Sequence, residues 1–346
     1  QIHVPSNIRN IDLILNESGH KAITINYKRR NSSYNFVISD EGNQLKILPS
    51  YNIKNPQYIT KRVAPYFNIN ANLASRFQFF DPDEPLKYQV YLKILTIANI
   101  TQKWNLISSL AIDIDNNFDL NRPPNSRLEH VRTDINKYLV KGASGIESLY
   151  FEKRSTFNEE IHYRAYIGVL EDMYSGIGFE LLYQPFMSRL AVGGSFNRVK
   201  KRAYKRNFDL LDYETSTGFL SLYYASPFYN YDLAFHLGRY LAKDNGVTIE
   251  ARRTFDNGFS VGAFATFTDV SSEDFGEGSF DKGLYFRLPF DSFFQTNSRN
   301  AISTIVRSLQ RDGGQRLEDF SGRLWFDLRS ARYDSLKRNK KRMIPK

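Results

Sequence analysis

From about residue 60 onward, apolar and polar side chains alternate with period two, in segments of roughly 9 to 12 residues instead of the roughly 5 to 6 of an ordinary strand. Over 259–268, Phe259, Val261, Ala263, Ala265 and Phe267 oppose Ser260, Gly262, Thr266 and Thr268, and only Phe264 breaks the pattern. Over 161–169, Ile161, Tyr163, Ala165, Ile167 and Val169 oppose His162, Arg164, Tyr166 and Gly168. Val247, Ile249, Ala251, Arg253 and Phe255 share one face, with Thr248, Glu250, Arg252 and Thr254 on the other. Leu284, Phe286, Leu288 and Phe290 likewise oppose Tyr285, Arg287 and Pro289. Similar dyads lie near 63–79, 88–98, 104–114, 130–139, 146–153, 174–183, 190–199, 215–225, 231–241 and 301–309. The spacing predicts an all-β chain of about 12 to 14 antiparallel strands, an even number, each long enough to cross a bilayer when tilted.

The punctuation has a side. Asp256-Asn257-Gly258 is a tight hairpin turn, because Asn and Gly tolerate the positive φ it needs. Strand parity then puts the polar loops 200–212, 241–246 and 270–282 at the opposite rim, and short turns facing long loops describe an outer-membrane β-barrel. The long 116–129 connection falls on the short-turn side in this count. The soluble alternative is a large sandwich or propeller. No run of 18 apolar residues occurs, which excludes helical spans. The absence of cysteine removes disulfides, thiolate metal sites and thiol catalysis together.

Three regions follow: 1–56, a small β-containing periplasmic segment with strands at 11–16, 22–27 and 34–39; 57–330, the barrel; and 331–346, a basic tail. Lys337, Arg338, Lys340, Lys341, Arg342 and Lys346 supply most of the net charge of +10. That tail reads as solvated, or as touching anionic head groups.

Several motifs carry a family likeness: Leu170-Glu171-Asp172-Met173-Tyr174-Ser175-Gly176 leading to Leu182-Tyr183-Gln184-Pro185-Phe186, then Gly238-Arg239-Tyr240-Leu241-Ala242 with Asp244 and Gly246. Phe275 to Gly283, Arg311-Asp312-Gly313-Gly314, Phe80 to Leu86 and His130 to Asp134 add to it. In this order the chain resembles the C-terminal half of the YjbH/GfcD family of exopolysaccharide and group-four-capsule outer-membrane proteins, over roughly 60–328. The resemblance implies a barrel in the bacterial outer membrane that assists export or surface assembly of an exopolysaccharide or capsule polymer. Its implied partners are the polymer, lipopolysaccharide and other polysaccharide-secretion envelope proteins. It implies no cofactor, metal or catalytic residues, and nucleic acid is excluded as a partner.

If the apolar faces meet lipid, His162, Arg164, Glu180, Asn197, His236, Glu250, Arg252 and Arg287 point inward, where they either pair and plug the lumen or line a polymer path. A charge at mid-depth on the lipid face would cost roughly 2 to 4 kcal/mol. Phe275, Gly276, Glu277, Gly278, Asp281 and Lys282 form a loop that anchors the rim or folds in to gate it. Lys200, Lys201, Arg202, Lys205 and Arg206 make a basic outer loop facing lipopolysaccharide or an acidic polymer. Rival functions are a structural scaffold, a general porin, or a lipid-modifying enzyme using a His with a Ser; no G-x-S-x-G or H-E-x-x-H is present.

Overall fold

The computed structural model describes residues 10–17, 20–28, 44–49, 66–79, 86–101, 103–121, 126–157, 160–275, 280–289, 301–307, 311–317 and 319–339. A three-stranded antiparallel sheet comprises β1 (Asn10–Glu17), β2 (His20–Lys28) and β3 (Gln44–Pro49). The third strand expected at 34–39 lies outside the described residues.

The main sheet is a meander in which each strand pairs antiparallel with its neighbours in sequence. Its strands are β4 (Tyr66–Phe79), β5 (Leu86–Asn99), β6 (Trp104–Asn116), β7 (Gly145–Phe157), β8 (Ile161–Val169), β9 (Tyr174–Tyr183) and β10 (Leu190–Arg202). They continue as β11 (Leu210–Ala225), β12 (Tyr231–Arg239), β13 (Asn245–Thr254), β14 (Ser260–Thr268), β15 (Asp281–Pro289) and β16 (Ala301–Arg307). Among the described residues that makes 13 strands, not the expected even number, and there β4 and β16 are the edges of an open sheet instead of partners in a closed barrel.

The miscounted strand is 130–139, which contains the start of a helix, α1 (Ile135–Lys141). Val131, Ile135, Tyr138 and Leu139 recur at helical spacing, and Tyr138 and Leu139 are buried. Removing that strand also corrects the parity. The long 117–144 connection joins 170–173, 203–209, 240–244 and 269–280 at one rim, the loop rim. The tight Asp256–Gly258 turn shares the opposite turn rim with 100–103, 158–160, 184–189 and 226–230.

The two faces of the sheet are inverted relative to a soluble sandwich. Outward positions are apolar and exposed, with Leu73 71%, Leu220 62% and Leu237 61% accessible, alongside Ile112, Ile167, Ile177, Phe196 and Leu284. Inward positions are polar and buried, with Asn197 and His236 at 0% and Glu250 at 1%. Among the described residues, no helix is long and apolar enough to cross a membrane.

What covers the polar face is the chain's own end. A short helix, α2 (Ser272–Phe275), stands at the rim between β14 and β15, while the described residues of 311–339 leave the sheet and lie on its inward side, through α3 (Leu324–Asp327), a 3-10 turn at Arg329–Ala331, and α4 (Tyr333–Arg338). The boundary expected at residue 330 falls inside this segment, and Leu336, placed in the solvated tail by sequence, is buried. Residues 340–346 lie outside the described residues. Adjacent Phe326 and Asp327 contact Arg252 on β13 and Arg154 on β7, respectively. Laid flat, those two strands would stand roughly 29 Å apart. The sheet therefore curls around the segment.

Candidate functional site

Three ionic networks hold the C-terminal segment against the polar face. On β7 and β8, Arg154 and Arg164 are direct cross-strand partners, a like-charge pairing that is unfavourable by itself. Three carboxylates resolve it. Glu152 lies 2.8 Å from Arg154 and 3.5 Å from Arg164; Glu180 lies 2.9 Å from Arg164; and Asp327 of α3 lies 2.9 Å from Arg154. The other Glu180 oxygen accepts the Leu324 N–H at 2.7 Å, and Arg164 donates to the Asp319 carbonyl. One row along, Asn197 donates to the Phe320 carbonyl at 2.9 Å and Tyr166 to the same oxygen at 3.0 Å. The strand charges thus serve as the seat of the C-terminal segment.

The second network surrounds Glu250. Its carboxylate meets Arg252 at 2.8 Å, accepts from Arg316 of the C-terminal segment, and lies 3.4 Å from the Tyr285 hydroxyl. The Arg252 guanidinium sits 4.0 Å from the Tyr285 ring centroid and 3.9 Å from that of Phe326. A cavity of about 50 Å³ remains beside Glu250, Arg252, Asp281, Tyr285, Arg316 and Phe326. That volume accommodates a few waters.

In the third network, Asp232 on β12 accepts from Arg329 and, at 2.6 Å, from Arg332. Arg332 also lies 3.8 Å over the ring of Trp325. Trp325 stacks on Tyr223 with centroids 4.9 Å apart and donates its Nε1–H to Gln184 at 2.8 Å.

The residues read from sequence as inward divide accordingly. His162, Arg164, Glu180, Asn197, His236, Glu250 and Arg252 all face the interior, and the C-terminal segment or a cross-strand neighbour engages each of them. Arg287 shares their face but lies at the turn rim, exposed and donating to the Gly258 carbonyl at 3.2 Å, so it joins no network. The partner of Glu250 is Arg316, which sequence reasoning passed over along with Trp325, Asp327, Arg329 and Arg332. Their signal was the spacing of Leu324, Leu328 and Ala331 at i, i+4 and i+7, which is helical and buried.

A serine, a histidine and a carboxylate do align. The Ser221 hydroxyl and His236 Nδ1 are 2.7 Å apart, and His236 Nε2 stands 3.5 Å from Glu250. Ser221 is 1% exposed, and Gly322, at φ +81°, packs its backbone directly against the imidazole. The hydroxyl and the imidazole are thus buried beneath the C-terminal segment, and Glu250 is engaged by two arginines.

The basic outer loop is corrected by the structure. Lys201, Arg202 and Arg206 are buried and only Lys205 stands exposed. Lys201 meets Asp134 at 2.7 Å, Arg206 meets Asp172 at 2.6 Å, and Arg202 donates to the carbonyls of Ile146, Glu171, Asp172 and Asn207. Lys201 falls on the inward face of β10, Arg202 follows a register shift at the strand's end and Arg206 lies just beyond it, and together they knit the loop rim; Lys200, on the other face, is half-buried. Burial pushes the Asp134 carboxyl up, but hydrogen bonds from Lys137 and Lys201 outweigh it and hold the group below its ordinary value.

In the loop read as a gate, Phe275 is buried against Gly313, where a Cβ would fall 2.6 Å from its ring. Asp281 is buried and Lys282 is exposed over the Phe280 ring. Gly276, Glu277 and Gly278 lie outside the described residues. The arrangement pins this loop to the start of the C-terminal segment, where Asp312 accepts from the Arg132 and Thr133 N–H groups at 2.7 and 2.9 Å.

The family model described as "Exopolysaccharide biosynthesis protein YbjH" matches residues 1–328, reaching further toward the N-terminus than the motifs alone indicated. The "Uncharacterized lipoprotein YjbH" of Escherichia coli strain K12 is 34% identical over 243 residues, 66% of this chain and 34% of that relative. The matched region is thus about a third of the relative's length. Among solved structures, Salmonella typhi OmpF in complex with daunomycin aligns over 75% of this chain and 94% of its own, at 11% identity and a TM-score of 0.38. A likeness that distant supports neither fold nor function. The matched motifs and the near-complete span of the family model make this chain a member of the YjbH exopolysaccharide family.

Proposed function

We propose that the 13-stranded sheet is the wall of a bacterial outer-membrane β-barrel, and that it assists export or surface assembly of an exopolysaccharide or capsule polymer without catalysing a reaction. The supporting observation is the inversion of the sheet: exposed apolar side chains on its outward face, buried ionic networks on its inward face. An exposed apolar surface of that extent marks contact with lipid or protein, and lipid suits strands of this length. The family description supplies the polymer class. In this reading the partners are the polymer, lipopolysaccharide and other envelope proteins of polysaccharide secretion.

A scaffold is the second reading, and one observation favours it over an open porin: residues 311–339 occupy the interior. Fractionation with outer membranes and heat-modifiable mobility on gels test the barrel. Single-channel conductance of reconstituted protein, with and without purified polymer, separates pore from scaffold, and recovery in the soluble fraction without detergent refutes both. Ser221→Ala with unchanged surface polymer is the result expected of a non-enzymatic role.

A further inference from the structure

We propose that the turn rim carries binding sites for the head groups of anionic phospholipid, centred on Lys153 and Arg253. This rests on the membrane-spanning reading above. Both residues occupy outward positions at the turn-rim ends of their strands, where the apolar band gives way: Lys153 follows Phe151 on β7, and Arg253 follows Val247, Ile249 and Ala251 on β13. Neither has an ion-pair partner among the described residues. Each is held instead by aromatic rings. Lys153 Nζ lies 5.2 Å over its cross-strand partner Trp104, and the Arg253 guanidinium lies 4.4 Å from Phe255, 5.6 Å from Tyr229 and 5.8 Å from its cross-strand partner Tyr231.

Three of these rings are exposed: Trp104 45%, Tyr229 74% and Tyr231 38%. An aromatic body with a cation beside it is the chemistry of the head-group layer, where the ring meets acyl chain and the charge meets phosphodiester. At the loop rim the outward Arg198 of β10 is neutralised by Glu214 at 2.5 Å, while the exposed Lys282 lies 4.5 Å over the ring of Phe280.

The chain has two tryptophans, Trp104 on the outward rim and Trp325 buried in the interior, which supplies the assay. Folded protein is reconstituted in phosphatidylcholine vesicles containing a small, equal fraction of bromine carried either on phosphatidylglycerol or on phosphatidylcholine. The Trp104 contribution is the difference from Trp104→Phe. Brominated phosphatidylglycerol should quench as though locally enriched about five-fold, equivalent to about 1 kcal/mol per basic side chain at low salt. Lys153→Gln should bring the two lipids to parity. A Trp104→Phe/Tyr231→Trp protein moves the reporter beside Arg253, and Arg253→Gln should then do the same. Equal quenching by both lipids in the parent protein overturns the lipid sites while leaving the membrane reading intact. Quenching by neither overturns the membrane reading itself. The parent comparison needs no charge variant, so a variant that fails to fold does not remove the test.

Discussion

Asp232→Asn tests whether the C-terminal segment is a docked element with its own equilibrium. Asp232 is 2% exposed and takes the guanidinium groups of both Arg329 and Arg332. Removing one partner of a buried ion pair costs roughly 3 to 5 kcal/mol. Here the lower end applies, because Arg332 retains Asp334 at 3.3 Å and the Arg329 side chain is one-fifth exposed. About 3 kcal/mol corresponds to a shift of about 150-fold in the docking equilibrium. The strands keep their own ladders, so the cost falls on the segment and not on the sheet. In folded protein, tryptic cleavage after Arg329 and Arg332 should accelerate by up to that factor while opening remains fast relative to cutting. The Trp325 emission should shift red as its stack on Tyr223 is lost. Lys337→Ala, an exposed control, should change neither signal. Cleavage within about three-fold of the parent, with Trp325 emission unchanged, would mean that the segment is fused into the fold and that Asp232 does not hold it.

Glu250→Gln, at a carboxylate shared by Arg252 and Arg316, should lower heat resistance on gels by more than the double replacement Glu250→Gln/Arg316→Gln, since the single change leaves a buried cation uncompensated. Gly322→Ala combines a φ of +81° with a Cβ 2.6 Å from His236, so it should destabilise the docked segment by more than the roughly 1 to 2 kcal/mol of the backbone term alone. The folded Asp134 carboxyl titrates below its ordinary 3.8, so the stability it contributes is complete above that value and is lost as pH falls through the depressed one. Asp134→Asn should therefore lower the stability of the loop rim at neutral pH, and the gap from the parent should narrow only in strong acid. In a protein without native cysteine, labels at Lys205→Cys and Ser272→Cys should react from outside intact cells and one at Asn257→Cys should not; the reverse pattern inverts the topology.

Nearly all of the sheet was legible because a strand read as a dyad carries its own evidence. In Ile161–Val169 every second residue is polar, and the structure runs the strand over those same nine residues. The lapse at 130–139 has an equally local cause. Val131, Ile135 and Leu139 also satisfy period two, and only Tyr138 beside Leu139 discloses the helical stripe that buries them. Sequence parity had already registered the error, in the long connection that fell at the rim of short turns. The basic loop was misread because hydrophilicity was taken for exposure. Arg202 and Arg206 have long apolar stems, and their guanidinium groups donate to backbone carbonyls of the rim instead of reaching water.

The interior was legible by direction and not by partner. Alternation places Glu180 and Glu250 on the face opposite the exposed apolar side chains, which in the proposed membrane reading keeps their charge out of hydrocarbon. It is silent on whether water, a polymer or protein meets them. That information resided in residues 311–339, where no dyad occurs and where Leu324, Leu328 and Ala331 set a helical stripe among arginines. A short amphipathic stretch on a chain that turns its apolar strands outward has one face with nowhere apolar to go. Its hydrophobic side finds Tyr223, Leu182 and Ala234, and its arginines find Asp232 and Glu250. The same inward charges that would wet an empty barrel thereby become the binding site for the chain's own C-terminal segment, so a polymer path of the kind proposed would have to begin by displacing residues 311–339.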